Sequence, residues 1–448
     1  MEAKECSEFQ MRKESFQHAC LGSYLIIPLR YGSGGVDGCR NWLQGHALSQ
    51  TLTTSDLNES TKDAVQGGQQ PILKWYRIPN KLFKEKLRDF THLDVPECLY
   101  VRSKGCTEPF TEQDSFSLNS IELYSFPQVA FFCLGIQYVN IQQLEIIVNP
   151  GYKDCCCEYY CSDKKGRLCE FSLDELILSM CRDAGTDAFY KRGSSLFLEA
   201  YTFSLAMVPE RFESLDTLRQ ASYNLHLMAP LHMSYPDEAE EDIRYVFAVK
   251  DVTLQTYRWG CCASLQSVCV VTANDQMDVD GEMEARVADD LPPILLTLYQ
   301  KYTCLRFAEL LSQTHGSDIR KLRRLHQAML EFKAYGVIYP THISRWNNVR
   351  QIYAHLFSIN GVDAAITDID NKISILVERQ KEKKADIESA IAWIITLFGI
   401  LSIIQSVMSI ISLLRGGTPT EHVTLLIISL TLMLIFSISV LFQRAKWQ

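Results

Sequence analysis

Ile391 to Leu414 reads IAWIITLFGILSIIQSVMSIISLL, twenty-four residues without a charge and with Gln405 as the one strongly polar side chain. As a helix at about 1.5 Å per residue the run reaches roughly 36 Å, enough for a hydrocarbon core of about 30 Å. Val423 to Phe442, VTLLIISLTLMLIFSISVLF, repeats the signal over 20 residues after a connection of eight, Arg415 to His422. A core helix of a water-soluble protein rarely stays apolar on every side for so long. The pair predicts two membrane-spanning helices joined by a tight turn.

The flanks predict the orientation. Arg379, Lys381, Lys383 and Lys384 precede the first run, and Arg444 and Lys446 follow the second, whereas the connection carries Arg415 against Glu421. The positive-inside rule then puts both termini in the cytoplasm and the RGGTPTEH loop outside. The expectation is a multi-pass protein of the cell (inner) membrane, with the lipid bilayer as its first partner.

Upstream of the first run, apolar positions recur with steps of four and three: Val362, Ile366, Ile369, Ile373 and Leu376. The same count continues through Gln380, Lys383, Ile387, Ala390, Ile394, Leu397 and Leu401 to Ile404, Met408 and Ile411, with no proline between Val362 and Ile411. One continuous helix is expected to run from a stalk into the bilayer, and a sustained heptad line marks association with other helices. A second line on the first span, Ser389, Ala392, Thr396, Gly399, Ser402, Ser406 and Ser409, holds only small or hydroxylic residues. Such a line lets helices approach closely in lipid, or lines a narrow aqueous path about a symmetry axis. Two spans per chain cannot enclose a pore, so conduction requires a homo-oligomer.

The remainder reads as a cytosolic α+β or α/β domain over residues 1–290 and a helical region over 291–360. The stalk (361–390), first span (391–414), outer loop (415–422), second span (423–442) and basic tail (443–448) follow. Met1 to Lys13 is charged and has no apolar core, so no secretory signal is expected. All sixteen cysteines lie between Cys6 and Cys304, in the part placed in the cytosol, where reduced thiols are expected. The formal net charge of −9 argues against direct nucleic-acid binding, since no basic face is implied.

Strands are expected at Ser23 to Tyr31, at Ser120 to Phe126 and at Val129 to Val139, the last two turning at Phe126-Pro127-Gln128. A further pair, Tyr245 to Val252 and Cys261 to Thr272, is expected to join through Arg258-Trp259-Gly260. Helices are expected at Leu173 to Arg182 and at Leu215 to Leu227 with Ser214 as its N-cap. From Pro292 onward the chain reads as helices over Pro293 to Gln313, Asp318 to Tyr335 and Thr341 to Ile359, with Asn360-Gly361 turning into the stalk. The acidic runs Pro236 to Asp242 and Asn274 to Asp290 read as exposed loops.

Motifs for chemistry are weak. Cys157 and Cys161 have three residues between them, within the range of zinc-ligand spacing, but no second pair and no H-x3-5-H accompany them. Asp278-Val279-Asp280-Gly281 fails the calcium-loop spacing, which would need Gln276 and Val287 as ligands. The GSGGVDG segment after the first strand lacks G-x-G-x-x-G spacing and reads as a flexible loop. No enzyme motif is present, and the chain is not expected to be an enzyme or to need a cofactor.

The layout resembles the CorA superfamily of membrane channels and transporters: an α/β domain, helices before a very long stalk, two closely spaced C-terminal spans and a basic end at Arg444, Lys446 and Trp447. The Leu123 to Tyr138 strand pair and Arg258-Trp259-Gly260 are also similar to distant members. The resemblance implies a CorA-like homopentamer whose first span lines the pore, which places Thr396, Gly399, Ser402, Ser406 and Ser409 on the path, and whose cytosolic part gates it. Magnesium-transporting members carry a Gly-Met-Asn motif at the outer mouth. Here the place reads Leu414-Arg415-Gly416-Gly417-Thr418, followed by Glu421, and an arginine ring repels divalent cations. The resemblance therefore leaves two expectations: a divalent-cation transporter, with magnesium or a similar ion as cargo or gating ion, or a membrane effector of type III CRISPR antiviral defence that binds a small nucleotide messenger. A membrane-anchored signalling or scaffold protein is the remaining class.

Overall fold

The computed structural model describes residues 20–52, 57–67, 71–111, 114–138, 157–189, 200–208, 211–227, 244–250, 253–273, 279–314 and 319–415, and Val423, Ile427 and Thr431 beyond them. Two compact units emerge: Met1–Gln313 with Gln327–Asp370, and Thr314–His326 with Asn371–Gln448.

The first unit is a mixed α/β domain built on one sheet of thirteen strands among the described residues. At its centre β1 (Cys20–Tyr31) lies antiparallel to β6 (Ala130–Tyr138), and β6 to β5 (Ser115–Ser125). One half continues from β1 through β10 (Tyr201–Val208), β13 (Ser267–Ala273) and β12 (Tyr257–Ala263) to β11 (Arg244–Lys250). The other half continues from β5 through β4 (Pro96–Ser103) and β7 (Cys157–Asp163) to β8 (Leu168–Phe171). Three short strands lie off this path: β2 (Leu48–Gln50) pairs β3 (Lys74–Arg77), β3 pairs β5, and β9 (Thr186–Ala188) pairs β1. Only β10 and β13, among these pairings, run parallel.

The central strands are apolar in unbroken runs because both faces are covered. Alternation along β6 sends Phe132, Leu134 and Ile136 to one face, where they join Leu25, Ile27 and Leu29 of β1. There they meet α1 (Gly35–His46), α3 (Asn80–Thr91) and α4 (Leu173–Asp183) through Cys39, Leu43, Phe83, Leu87, Leu176 and Met180. Phe131 points to the other face and meets Tyr302 edge-on, ring centroids 5.9 Å apart. Tyr302 belongs to α6 (Val279–Ser312), whose buried residues from Leu291 to Phe307 cover that face. Gly135 of β6 has no room for a side chain: a Cβ there would sit 2.6 Å from the Ser120 hydroxyl and 2.7 Å from the Tyr24 ring.

Local signals place several elements as expected. Phe126 N–H donates to the Val129 carbonyl (3.0 Å), closing the β5–β6 turn. Ser172 caps α4 by accepting from Glu175 N (3.3 Å), and Ser214 caps α5 (Leu215–Leu227) by accepting from Thr217 N (3.1 Å). Between these, α2 covers Glu59–Gln66.

Four expectations are corrected. Arg258-Trp259-Gly260 is not a connection but part of β12, and Cys261 to Thr272 is a hairpin that turns at Ser264. That turn carries no glycine or proline; the Ser264 hydroxyl accepts from both Gln266 N and Ser267 N (3.1 Å each) in their place. The helix expected from Pro293 begins at Val279, so Pro292 and Pro293 lie inside α6 and residues 279–290 of the acidic run are helical. The GSGGVDG segment is a turn that passes into α1 at Gly35, whose φ of 62° is the left-handed conformation glycine tolerates. The third helix expected before the stalk is two: α8 (Pro340–Ile343) and α9 (Asn347–Ile359). Pro236 to Asp242 lies outside the described residues.

Most of the helical region belongs to the sheet unit, with Thr314–His326 falling in the second. α7 covers Ile319–Glu331, and Phe332–Gly336 follows as a π-helical turn. Within the first unit Gln300 of α6 accepts from Ile338 N (3.1 Å) and donates to the Tyr353 hydroxyl (2.5 Å), which donates to the Ile338 carbonyl (2.8 Å). This buried network ties α6, the segment after the π turn and α9. The stalk and first apolar run then form one helix, α10 (Val362–Leu414), of 53 residues, about 80 Å long.

Candidate membrane helix and its small-residue stripe

Along α10 the heptad line passes from burial to exposure. Val362, Ile366, Ile369 and Ile373 are buried, whereas residues 381–389 are exposed, including Lys381, Lys383 and Lys384. Beyond Ala390 the same line is half-covered at Ile394, Leu397 and Leu401 and exposed at Ile404, Met408 and Ile411. The small-residue positions fall on the other side of the helix: Thr396, Gly399, Ser402, Ser406 and Ser409 are all exposed. Two of their hydroxyls are turned back on the backbone, Thr396 Oγ1 donating to the Ala392 carbonyl (2.8 Å) and Ser406 Oγ to that of Ser402 (2.9 Å). Such back-bonding satisfies a hydroxyl in lipid while leaving its oxygen lone pairs open to water or to a partner helix.

Within Val362–Ser412 an 18-residue window reaches a mean hydropathy of 2.3 with no part of it buried, so the helix is long and apolar enough to cross a membrane. Thirteen large apolar side chains between Ile387 and Leu414 are exposed, Trp393 by 70% and Leu414 by 82%. At about 1.5–3 kcal/mol per fully buried side chain, covering them is worth on the order of 20 kcal/mol. That is more than a typical domain's net stability, so the bare helix is not a state for water. Only this one helix among the described residues meets the length and hydropathy criteria. Of the expected second span, Val423, Ile427 and Thr431 are described; all three are helical, and Thr431 Oγ1 donates to the Ile427 carbonyl (2.7 Å). At the expected outer mouth Arg415 is exposed, its N–H shared between the carbonyls of Ile411 and Ser412. Gly416, Gly417 and Glu421, and Arg444, Lys446 and Trp447 of the basic tail, lie outside the described residues.

The zinc candidates are parted by the fold. Cys157 and Cys161 are the first and fifth residues of β7, so four steps of extended chain set their Cα atoms about 13 Å apart, too far to share one ion. Cys161 instead faces Cys169 across the β7–β8 pair. No group of three or more His, Cys, Asp or Glu that would hold a metal occurs among the described residues. The core cysteines are inert: burial pushes the Cys39 and Cys262 thiols up to about 12, and those of Cys133, Cys261 and Cys269 well above the ordinary value.

Sequence reasoning missed a cleft of about 380 Å³ between α3 and strands β4 and β5, floored by Phe83, Leu87 and Phe116 and rimmed by Lys84, Glu97 and Cys98. It forms because β4 pairs with β5 only at Leu99–Phe116 and Tyr100–Ser115 before turning to β7. No local pattern in the chain announces a pairing that short.

No family model matches the chain, and no curated protein matches it at a significant level.

Proposed function

We propose that the chain is a CorA-like, oligomeric membrane channel in which α10 lines the path and the α/β unit gates it from the cytosol. The observation that carries this reading is the exposed stripe Thr396, Gly399, Ser402, Ser406 and Ser409, opposite the half-covered Ile394, Leu397 and Leu401 on a helix that needs lipid around it. One face of such a helix suits helix contact and the other suits water, and a ring of copies satisfies both. The topology that goes with it has two spans, both termini cytoplasmic, and five copies about the axis.

The mouth favours an effector over a magnesium transporter. Arg415 is exposed at the end of α10, where a cation-capturing motif would be required, and a ring of arginines is a barrier to divalent ions. In this reading the gating signal is a small ligand of the α/β unit, with a nucleotide messenger as the leading class. The second reading, a signalling or scaffold protein held by an inert anchor, draws on the same lipid-facing surface of α10 and differs in leaving the stripe without a role.

The experiment is flux in proteoliposomes, with a magnesium-sensitive dye inside and a small-dye leak followed in parallel. Leak of the small dye, alone or on adding a nucleotide extract, that is lost when Ser402 and Ser406 are replaced by leucine supports the channel. Magnesium entry without dye leak supports a selective transporter. Silence under all conditions returns the chain to the anchor reading.

A further inference from the structure

We propose that Cys161 and Cys169 form a redox-sensitive dithiol, a modification site that closes to an internal disulfide when the protein meets a peroxide. The two residues are direct partners in the antiparallel β7–β8 ladder. Directly opposed residues in such a ladder have Cα atoms about 4.5–5.5 Å apart, inside the range a disulfide spans. The hairpin fixes this register. Lys165 N and Arg167 N both donate to Asp163 Oδ1 at 2.9 Å, Gly166 N donates to the Asp163 carbonyl at 2.9 Å, and Asp163 N to the Arg167 carbonyl at 3.2 Å. The thiols are therefore held opposite one another without a conformational search. Both gather at Thr91, the last residue of α3: Cys169 Sγ donates to the Thr91 carbonyl (3.4 Å), and Cys161 lies beside Thr91 as well.

Access divides the labour between them. Cys161 is fully buried, and burial pushes its thiol up to about 11, whereas Cys169 is partly exposed. The Cys169 thiol gives up its proton as its sulfur attacks a peroxide oxygen; the O–O bond breaks, the leaving hydroxide takes that proton and departs as water, and a sulfenic acid forms on Cys169. The Cys161 sulfur, giving up its proton, then displaces the hydroxyl from the Cys169 sulfur. The S–S bond forms, the S–O bond breaks, and a second water leaves. In sum two thiols give up two electrons and two protons, and one peroxide becomes two waters. A second cross-strand pair, Cys262 and Cys269 of β12 and β13, has the same direct register, but both thiols are buried. It has the geometry without the access, and serves as an internal control.

The test uses the full chain in detergent, reduced, treated briefly with hydrogen peroxide, quenched with catalase, denatured, alkylated and mapped by peptide mass spectrometry. The expected result is a linked Cys161–Cys169 peptide forming at least tenfold faster than any Cys262–Cys269 link. In the Cys161→Ser variant Cys169 accumulates as a sulfenic acid that dimedone traps. Absence of the linked peptide, linkage of Cys169 mainly to other cysteines, or equal oxidation of the Cys262–Cys269 pair overturns the proposal.

Discussion

Tyr299 lies flat against Phe126, their ring centroids 4.3 Å apart and their planes 12° from parallel. The contact joins α6 to the turn between β5 and β6, and Phe131 and Phe332 close round it edge-on at 5.8 and 5.7 Å. It is the point where the helix covering the second face of the sheet is keyed to the central hairpin. Replacing Phe126 by alanine opens a cavity there and is expected to cost about 3–5 kcal/mol. Denaturant unfolding of the detergent-solubilised chain, followed by near-UV circular dichroism, measures it. A loss below about 1 kcal/mol would show that the stack is not a fixed part of the core.

The π-helical turn brings Gly336 against the same tyrosine. A Cβ at Gly336 would lie 2.5 Å from the Tyr299 hydroxyl and 2.6 Å from the Phe332 ring. Gly336→Ala is expected to destabilise by about 1–3 kcal/mol through overpacking. Adding Tyr299→Phe, which removes the nearest oxygen, should return part of that loss. A double variant no better than the sum of its parts places the strain elsewhere.

Tyr353 holds one bond of the network joining α6 and α9. Tyr353→Phe leaves the Ile338 carbonyl without the hydroxyl that donates to it at 2.8 Å, and takes from the Gln300 amide one of its two acceptors, the Leu296 carbonyl at 3.0 Å remaining. The expected cost is about 1–3 kcal/mol, readable as a lowered midpoint of chemical unfolding with an unchanged slope.

His226 is half-buried beside β13, its Nδ1 2.6 Å from the Ser267 hydroxyl, and desolvation lowers its pKa from 6.5 to about 4. The folded chain keeps this imidazole neutral while the unfolded chain takes up a proton below about pH 6.5. The stability it contributes is thus complete above pH 6.5 and lost as the pH falls toward 4. Between pH 7 and 5 the loss amounts to about 2 kcal/mol. Unfolding free energies of the native chain and of His226→Gln at both pH values measure the difference. Equal slopes would mean that His226 titrates alike in both states.

The sequence carried some of this architecture and concealed the rest, for physical reasons that differ by element. The Phe126-Pro127-Gln128 turn and the Ser214 cap are local devices, and they appear where the chain signals them. So does α10, whose apolar run is set by what surrounds it rather than by partners far away in the chain. The two prolines at 292 and 293 misled because a proline pair suits a helix start, yet burial of α6 from Leu291 to Phe307 carries the helix through them. The Ser264 turn uses a side-chain hydroxyl in place of glycine, and such turns have no strong signature. The separation of Cys157 from Cys161, and the meeting of Cys161 with Cys169, follow from strand pairing, which spacing in the chain does not encode. The stripe on α10 is legible because a continuous helix converts steps of three and four in the chain into one face.

The central claim, that this stripe faces a water-filled path among copies of the chain, is tested most directly by thiol accessibility in membranes. All the natural cysteines precede α10, so single cysteines at Gly399, Ser402 and Ser406, and at Leu397, Leu401 and Ile404 on the opposite face, report on it alone in peptide-resolved labelling. The account predicts that a charged, membrane-impermeant thiol reagent modifies the first three and spares the last three. Uniform protection of all six, or labelling of the heptad face instead, would contradict it.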